Sequence, residues 1–290
     1  MLFIWFGQFF KVGYVFCVMK EEKYVYRFID FLGFVNLVQN KNLAFVKPEL
    51  WEDPFENYVF KKLESRSGQE EIVKVLEELG LKDIPSKMLS LCFNKNSVFG
   101  QSWSMLSESD ALWRIYSSIN NSVRISVSIE NIEKLSETYD NFYCSAVNYK
   151  KSIDLKEEVL NLFKGKDFSI FCVKGMLTKR NSFSHEKEFR LLYVEDESHY
   201  SDSFFREEVE KFSDENYVID DEFYNTLDKV NKISRGRSKI RTVSIENPSK
   251  FISSVMLHPQ AEDWVDETVS KYCELNKIKY LGRSKLYEFE

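Results

Sequence analysis

The sequence is short of the residues that break or repeat a chain: 290 residues hold only 10 glycines and 5 prolines. That shortage excludes collagen-like, solenoid and linker-rich chains, and no internal repeat or low-complexity tract is present. Histidine is scarcer still. His185, His199 and His258 are too few for a histidine-rich metal centre. The five cysteines (Cys17, Cys92, Cys144, Cys172 and Cys273) are odd in number, widely spaced and without a C-x-x-C pair. A disulfide framework or zinc site does not fit them, whereas reduced thiols in a cytoplasm do. P-loop, G-x-G-x-x-G, G-x-S-x-G and H-E-x-x-H patterns are absent, which sets aside kinase, Rossmann dehydrogenase, α/β-hydrolase and zincin chemistry.

What the chain has in excess is aromatic surface, with 25 Phe and 15 Tyr in a composition that is 43% hydrophobic. That is ample for a buried core. The net charge of −6 argues against a general nucleic-acid coat, although local patches can still hold a phosphate. The stretch 1–18 is an apolar leader of uncertain status. It lacks the basic start and small-residue cleavage site of a signal sequence. As a membrane span it is of minimal length and carries Lys11 near its middle, at a cost of roughly 3 kcal/mol. Met19-Lys20-Glu21-Glu22 reads as an ordinary chain start, so the expectation is a non-membrane, cytoplasmic domain over 19–290.

Aromatic and β-branched residues predict a strand over Lys23–Phe28, and Asp30 caps a helix that ends near Asn40. A second strand spans Leu43–Val46, and Asp53-Pro54-Phe55 makes a tight turn. Apolar residues at Ile72, Val73, Val75, Leu76 and Leu79 before Gly80 predict a helix. Leu89–Phe93 reads as a buried strand and Gln101–Ser104 as a short one. Ser109-Asp110 starts a helix through Trp113 and Tyr116, and Val123–Ile129 alternates as a strand. Tyr143–Tyr149 reads as a neighbouring strand, Leu155–Phe163 and Phe168–Leu177 as helices, and His185–Val194 as a strand.

Residues 201–230 carry ten acidic and three basic side chains, and 231–250 six basic and one acidic. The segment 201–240 therefore reads as an exposed charged excursion, with Arg235–Arg241 a solvated loop. Strands at Ile252–Leu257 and Ile278–Leu281 enclose a helix over Ala261–Leu275. The irregular alternation predicts one α+β domain with a mixed, largely antiparallel sheet flanked by helices.

The densest chemistry lies in Lys179-Arg180 and His185-Glu186-Lys187-Glu188-Phe189-Arg190. In a strand, Glu186, Glu188 and Arg190 share one face at a spacing of roughly 7 Å. Two carboxylates and a guanidinium on a buried face must pair or bind something, while on an open face they form solvated ion pairs. Arg27 lies inside the aromatic run Tyr24–Phe28, where a guanidinium calls for an anion, either Glu186 or Glu188 or a ligand phosphate. Trp113 and Tyr116, three apart on a helix, are either core or a stacking platform.

Four segments together resemble a widespread bacterial domain family of unknown function: Trp51–Glu56, Ser109–Ser117, Phe168–Arg190 ending in K-R-x-x-F-x-H-E-x-E-x-R, and Val255–Trp264 with Ser284-Lys285-Leu286. The resemblance covers most of Lys23–Leu286, with Ser102-Trp103 standing where that family has Cys-Trp. By analogy, an arginine in the first strand, a serine-bearing middle strand and a late E-x-E strand resemble mono-ADP-ribosyltransferases of the Arg-Ser-Glu type. That resemblance implies a split sheet and NAD as substrate. Arg27 would hold the NAD phosphates with Arg190 nearby. Ser126 or Ser128 would support the ribose site, Tyr116 would stack on nicotinamide, and Glu188 would be catalytic. Glu186 would orient the acceptor, with Lys179, Arg180 and Trp113 alongside. It further implies a toxin or antiviral-defence effector that modifies RNA, DNA or protein, with an antitoxin or regulatory partner.

Two other readings stay open. A metal-dependent nuclease would place Mg²⁺ on Glu186, Glu188 and Asp53 with Lys179 on the phosphate. A non-enzymatic regulator would dock through 201–240.

Overall fold

The computed structural model describes residues 23–288, apart from 52, 54, 96, 118–119, 140, 164–170, 196–206, 208–209, 213–216 and 236–237. The apolar leader, residues 168–170 and much of the charged excursion lie outside the described residues.

β1 (Tyr24–Asp30) runs into α1 (Phe31–Asn40), whose first turn is capped by the Asp30 carboxylate accepting from the Gly33 amide. Lys41 takes the left-handed conformation and turns the chain into β2 (Asn42–Val46). Three helices follow: α2 (Tyr58–Lys62), α3 (Arg66–Glu78) and α4 (Ile84–Asn94). β3 (Val98–Ser104), α5 (Asp110–Tyr116), β4 (Ser122–Ser128) and α6 (Ile129–Thr138) come next, the two helices capped by Ser109 and Ser128. After them lie β5 (Phe142–Ala146), β6 (Asn148–Lys150), α7 (Leu155–Phe163), α8 (Phe171–Gly175), β7 (Thr178–Arg180) and β8 (Glu188–Val194). The chain closes with α9 (Asp221–Arg235), β9 (Ile240–Ser244), α10 (Pro248–Phe251), β10 (Ser254–Leu257), α11 (Asp263–Leu275) and β11 (Tyr280–Arg283).

Nine of these strands form one mixed sheet in which only β10 and β11 run parallel; β6 and β7 pair separately. β8 is bonded to β3 along seven residue pairs, from Val98↔Val194 to Ser104↔Glu188, and β5 extends that side. The other edge of β3 is bonded only near its ends, Gly100 to Val46 of β2 and Ser104 to Tyr26 of β1. Between those two pairs the sheet is split.

Strand alternation decides what each face carries. One face bears Val25, Phe45, Phe99, Trp103, Ile125 and Leu191 and packs under α1, α6 and α11. The opposite face is covered twice. At one end α2, α3, α4, α7, α8 and α9 enclose a second core around Leu63, Ile72, Leu89, Leu192 and Leu227. At the other, α5 packs Leu112 and Trp113 on Phe28. The ground between these two covers is where the split opens.

Several sequence expectations need correction. Leu89–Phe93 belongs to α4, because a five-residue apolar run is equally one buried helical face. His185–Lys187 is not strand. A 3₁₀ turn covers Asn181–Glu186, Lys187 adopts φ 44°, and β8 begins at Glu188. The acidic excursion contains α9, which buries Phe223, Tyr224, Leu227 and Val230 against α4. The basic run ends in β9, an edge strand on β2, where a loop was expected. Among the described residues no helix is long and apolar enough to cross a membrane.

Candidate functional site

The split in the sheet forms a cleft of about 230 Å³. Its walls come from β1 (Tyr26–Phe28), β2 (Ala44, Val46) and β3 (Gly100–Ser104), with Trp51, Leu112, Tyr116, Glu186 and Glu188 completing the lining. Because β1 and β2 leave β3 from opposite ends, side chains of both sheet faces reach this space. Tyr26 pairs with Ser104 and so shares a face with Ser102 and Glu188, which puts Arg27 on the other face. Arg27 nevertheless lines the cleft, as do Gln101 and Trp103 from the same face. Gln101 bridges the split itself, with Nε2 donating to the Ala44 carbonyl at 2.9 Å and Oε1 accepting from Trp103 Nε1 at 2.8 Å.

Behind the carboxylates lies a buried ion network. Arg190 Nε donates to Glu188 Oε1 at 2.7 Å and its Nη2 to Glu188 Oε2 at 3.0 Å, while Nη2 lies 3.1 Å from Glu56. Lys179 Nζ lies 2.7 Å from Glu186, 3.0 Å from Glu56 and 3.2 Å from Glu188. All five side chains are at least nine-tenths buried. Three acids against two bases leave one negative charge, and the Ser102 hydroxyl donates to Glu188 Oε1. Burial opposes ionisation of Glu188, but Arg190, Lys179 and Ser102 outweigh it and bring its pKa to about 2. Burial likewise works against charge on Lys179, and Glu188, Glu56 and Glu186 overcome it, so its pKa is raised. The far face of Arg190 stacks on Trp51, 4.4 Å from the ring centre.

The backbone that carries Glu186 and Glu188 is pinned to the end of β3. Ser104 Oγ donates to the Glu186 carbonyl at 2.6 Å, Met105 N donates to the Lys187 carbonyl at 2.8 Å, and the Glu188 amide donates to the Tyr149 hydroxyl at 2.8 Å. The left-handed Lys187 thus reverses the chain, so that both carboxylates meet Lys179 although no strand carries them together.

Arg27, partly buried, differs from the cations of this network. Neither Glu186 nor Glu188 pairs with it, and among the described residues its guanidinium has no ion-pair or hydrogen-bond partner. Burial alone lowers its pKa, to about 10. Holding that charge without an anion costs the fold on the order of a few kcal/mol. Tyr116, in the cleft lining, is 41% exposed; burial and the neighbouring Glu186 raise its pKa.

Of the residues singled out in the sequence, Arg27, Tyr116, Glu186 and Glu188 line the cleft, and Lys179 and Arg190 stand behind the carboxylates. The others have structural places. Ser128 caps α6 by accepting from the Asn131 amide, and Ser126 bonds Ser254 Oγ at 2.7 Å on the far side of β1. Trp113 is fully buried between Phe28 and His258, so it cannot face a substrate. Arg180 pairs with Asp53 at 2.8 Å, outside the cleft wall. Ser102, Ser104, Gln101, Trp51 and Glu56 lay in segments the sequence had picked out, Gln101–Ser104 as a short strand and Trp51–Glu56 as part of the family resemblance, but without a named part in catalysis or binding. The alternation of Ser102 and Ser104, matching that of Glu188 and Arg190 on the paired strand, is the signal that would have found the two serines. No protein family, curated protein or solved structure matches the chain, so the segment resemblance rests on its residues alone.

Proposed function

We propose that the chain is an NAD-dependent mono-ADP-ribosyltransferase whose cleft binds the nicotinamide ribosyl end of NAD and a phosphate. The observation that carries this reading is Arg27: a partly buried guanidinium without an anion, opening into the same cleft as the ionised Glu188 and the exposed ring of Tyr116. Arg27 takes a phosphate oxygen, and Tyr116 stacks on the nicotinamide. Glu188 accepts a hydrogen bond from a ribose hydroxyl and stabilises the positive charge that grows at C1′ as nicotinamide leaves with the bonding pair. Glu186 orients the acceptor. The cleft volume is below that of a typical drug-sized site, in keeping with one end of a dinucleotide. Ser126 and Ser128, expected at the ribose site, lie outside the cleft, and the hydroxyl beside Glu188 is that of Ser102.

The nuclease reading is less well supported. Arg180 occupies Asp53, and among the described residues no three His, Cys, Asp or Glu side chains are grouped to hold a metal. The proposal carries with it a bacterial, cytoplasmic setting and a role as a toxin or defence effector held by an antitoxin or regulatory partner.

The test is Arg27→Gln, read by calorimetric NAD titration and thermal melting. The change removes an uncompensated, partly buried charge, so the variant should melt at the same temperature or higher while losing NAD binding at least ten-fold. Wild-type NAD affinity in the variant would sink the proposal. With labelled NAD and lysate, label should enter a macromolecule with the wild type and not with the variant.

A further inference from the structure

We propose that the surface formed by Phe55, Tyr58, Lys61, Lys62, Arg180 and Phe183 docks a single-stranded nucleic acid beside the cleft. Its role as acceptor rests on the transferase reading, whereas the docking itself does not.

Arg180 lies between two rings, 4.4 Å from the centre of Phe55 and 5.4 Å from that of Phe183. Phe55 stacks on Tyr58 with centroids 5.9 Å apart and planes 24° from parallel, and Phe55 is 38% exposed. A row of ring faces and one guanidinium plane results, and its continuity comes from the turn after Asp53, whose Oδ1 accepts from the Phe55 amide at 3.0 Å. The cations give this row its sign. Asp53 is buried while its partner Arg180 faces outward, and Lys61 donates to the Asp53 carbonyl at 2.7 Å without a carboxylate among the described residues. Lys62 lies over Tyr58 at 5.6 Å and shares its charge with Glu71. Stacking surfaces interleaved with cations suit unpaired bases on a phosphate backbone. A duplex hides its base faces, and an acidic peptide has none to stack.

The place of this surface also matters. Phe183 lies 4.7 Å from Lys179 Nζ, and Lys179 bonds Glu186 and Glu188 in the cleft wall. One side chain therefore separates the stacking row from the carboxylates, so a bound strand would pass the proposed point of transfer.

Fluorescence anisotropy of the full chain with labelled 12-residue oligo(dT), oligo(U) and a 12-base-pair duplex tests the proposal at low and moderate salt. The single strands should bind with an affinity that falls as salt rises, and the duplex more weakly. Phe55→Leu with Phe183→Leu keeps apolar bulk but removes the rings, and should weaken single-strand binding about ten-fold or more. Arg180→Gln should lessen the salt dependence. Equal affinity for the duplex, or no effect of the double leucine variant on binding, would overturn it, as would no oligonucleotide binding at all. NAD titration of the same leucine variant separates the two ideas: it should bind NAD as the wild type does. Strand binding by a wild type that binds no NAD would reject the transferase while keeping the docking surface.

Discussion

Glu188 is buried and Arg27 partly so, and the two charges carry opposite energetic signs. Glu188 is satisfied several times over, and its pKa of about 2 against an ordinary 4.5 means that ionisation stabilises the fold. That stabilisation is present above pH 4.5 and is lost as the pH falls toward 2, by at most about 3 kcal/mol. Acid melting of the wild type should therefore be steeper over this window than that of Glu188→Gln. At neutral pH the glutamine variant should be less stable by about 3 kcal/mol, because Arg190 keeps its burial and loses its charge partner. Equal stability at both pH values would place the network outside the folding energetics. Arg27 is the reverse case, a charge the fold holds at a loss, and that asymmetry is the chemical signature of a group kept for a ligand. Sequence alone could name both residues but not this difference, since it could not tell that Arg190 and Lys179 would close on Glu188 and leave Arg27 without a carboxylate.

Among the elements, those with complete local signals were legible. Asp30 ahead of α1, Ser109 ahead of α5 and the alternation of β4 each announced their element, and Gly80 in the left-handed conformation closes the turn beyond α3 as expected. Elements whose identity depends on partners were not. The apolar run inside α4 reads equally as strand, and β9 exists because β2 offers it an edge. The E-x-E spacing suggested a strand face, yet the two glutamates meet through a 3₁₀ turn and a left-handed lysine. Close approaches between elements make sharper tests than propensity. A methyl group on Gly68 would lie 2.0 Å from the Lys62 carbonyl oxygen, where α3 starts against the end of α2. Gly68→Ala should cost about 2 kcal/mol or more by thermal melting; a neutral result would mean that α2 is free to move. A methyl on Gly100 would meet the Trp51 ring at 2.5 Å in the cleft wall. Gly100→Ala should weaken NAD binding more than it lowers stability, because the ring would be displaced from Arg190.

In the whole molecule, β3 and β8 join the two cores: Phe99 and Leu191 belong to one, Val98 and Leu192 to the other. Neither core can come apart without disturbing this pair of strands. Denaturant unfolding followed by tryptophan fluorescence and by far-ultraviolet circular dichroism should therefore give coincident midpoints. Separated midpoints would show the helical layer over the second face unfolding on its own.

The split gives this sheet a further property. β1 with β4, β10 and β11 on one side, and β2 with β9 on the other, are each tied to β3 by a single backbone pair, with Gln101 adding a side-chain hydrogen bond across the gap. A ligand seated there would act as a keystone, touching both panels and the strand between them. Its grip should register far from the cleft, as slower amide hydrogen exchange in β2 and β9 on one side and in β1 on the other. Strands held mainly by neighbours they do not share would then begin to exchange as one body.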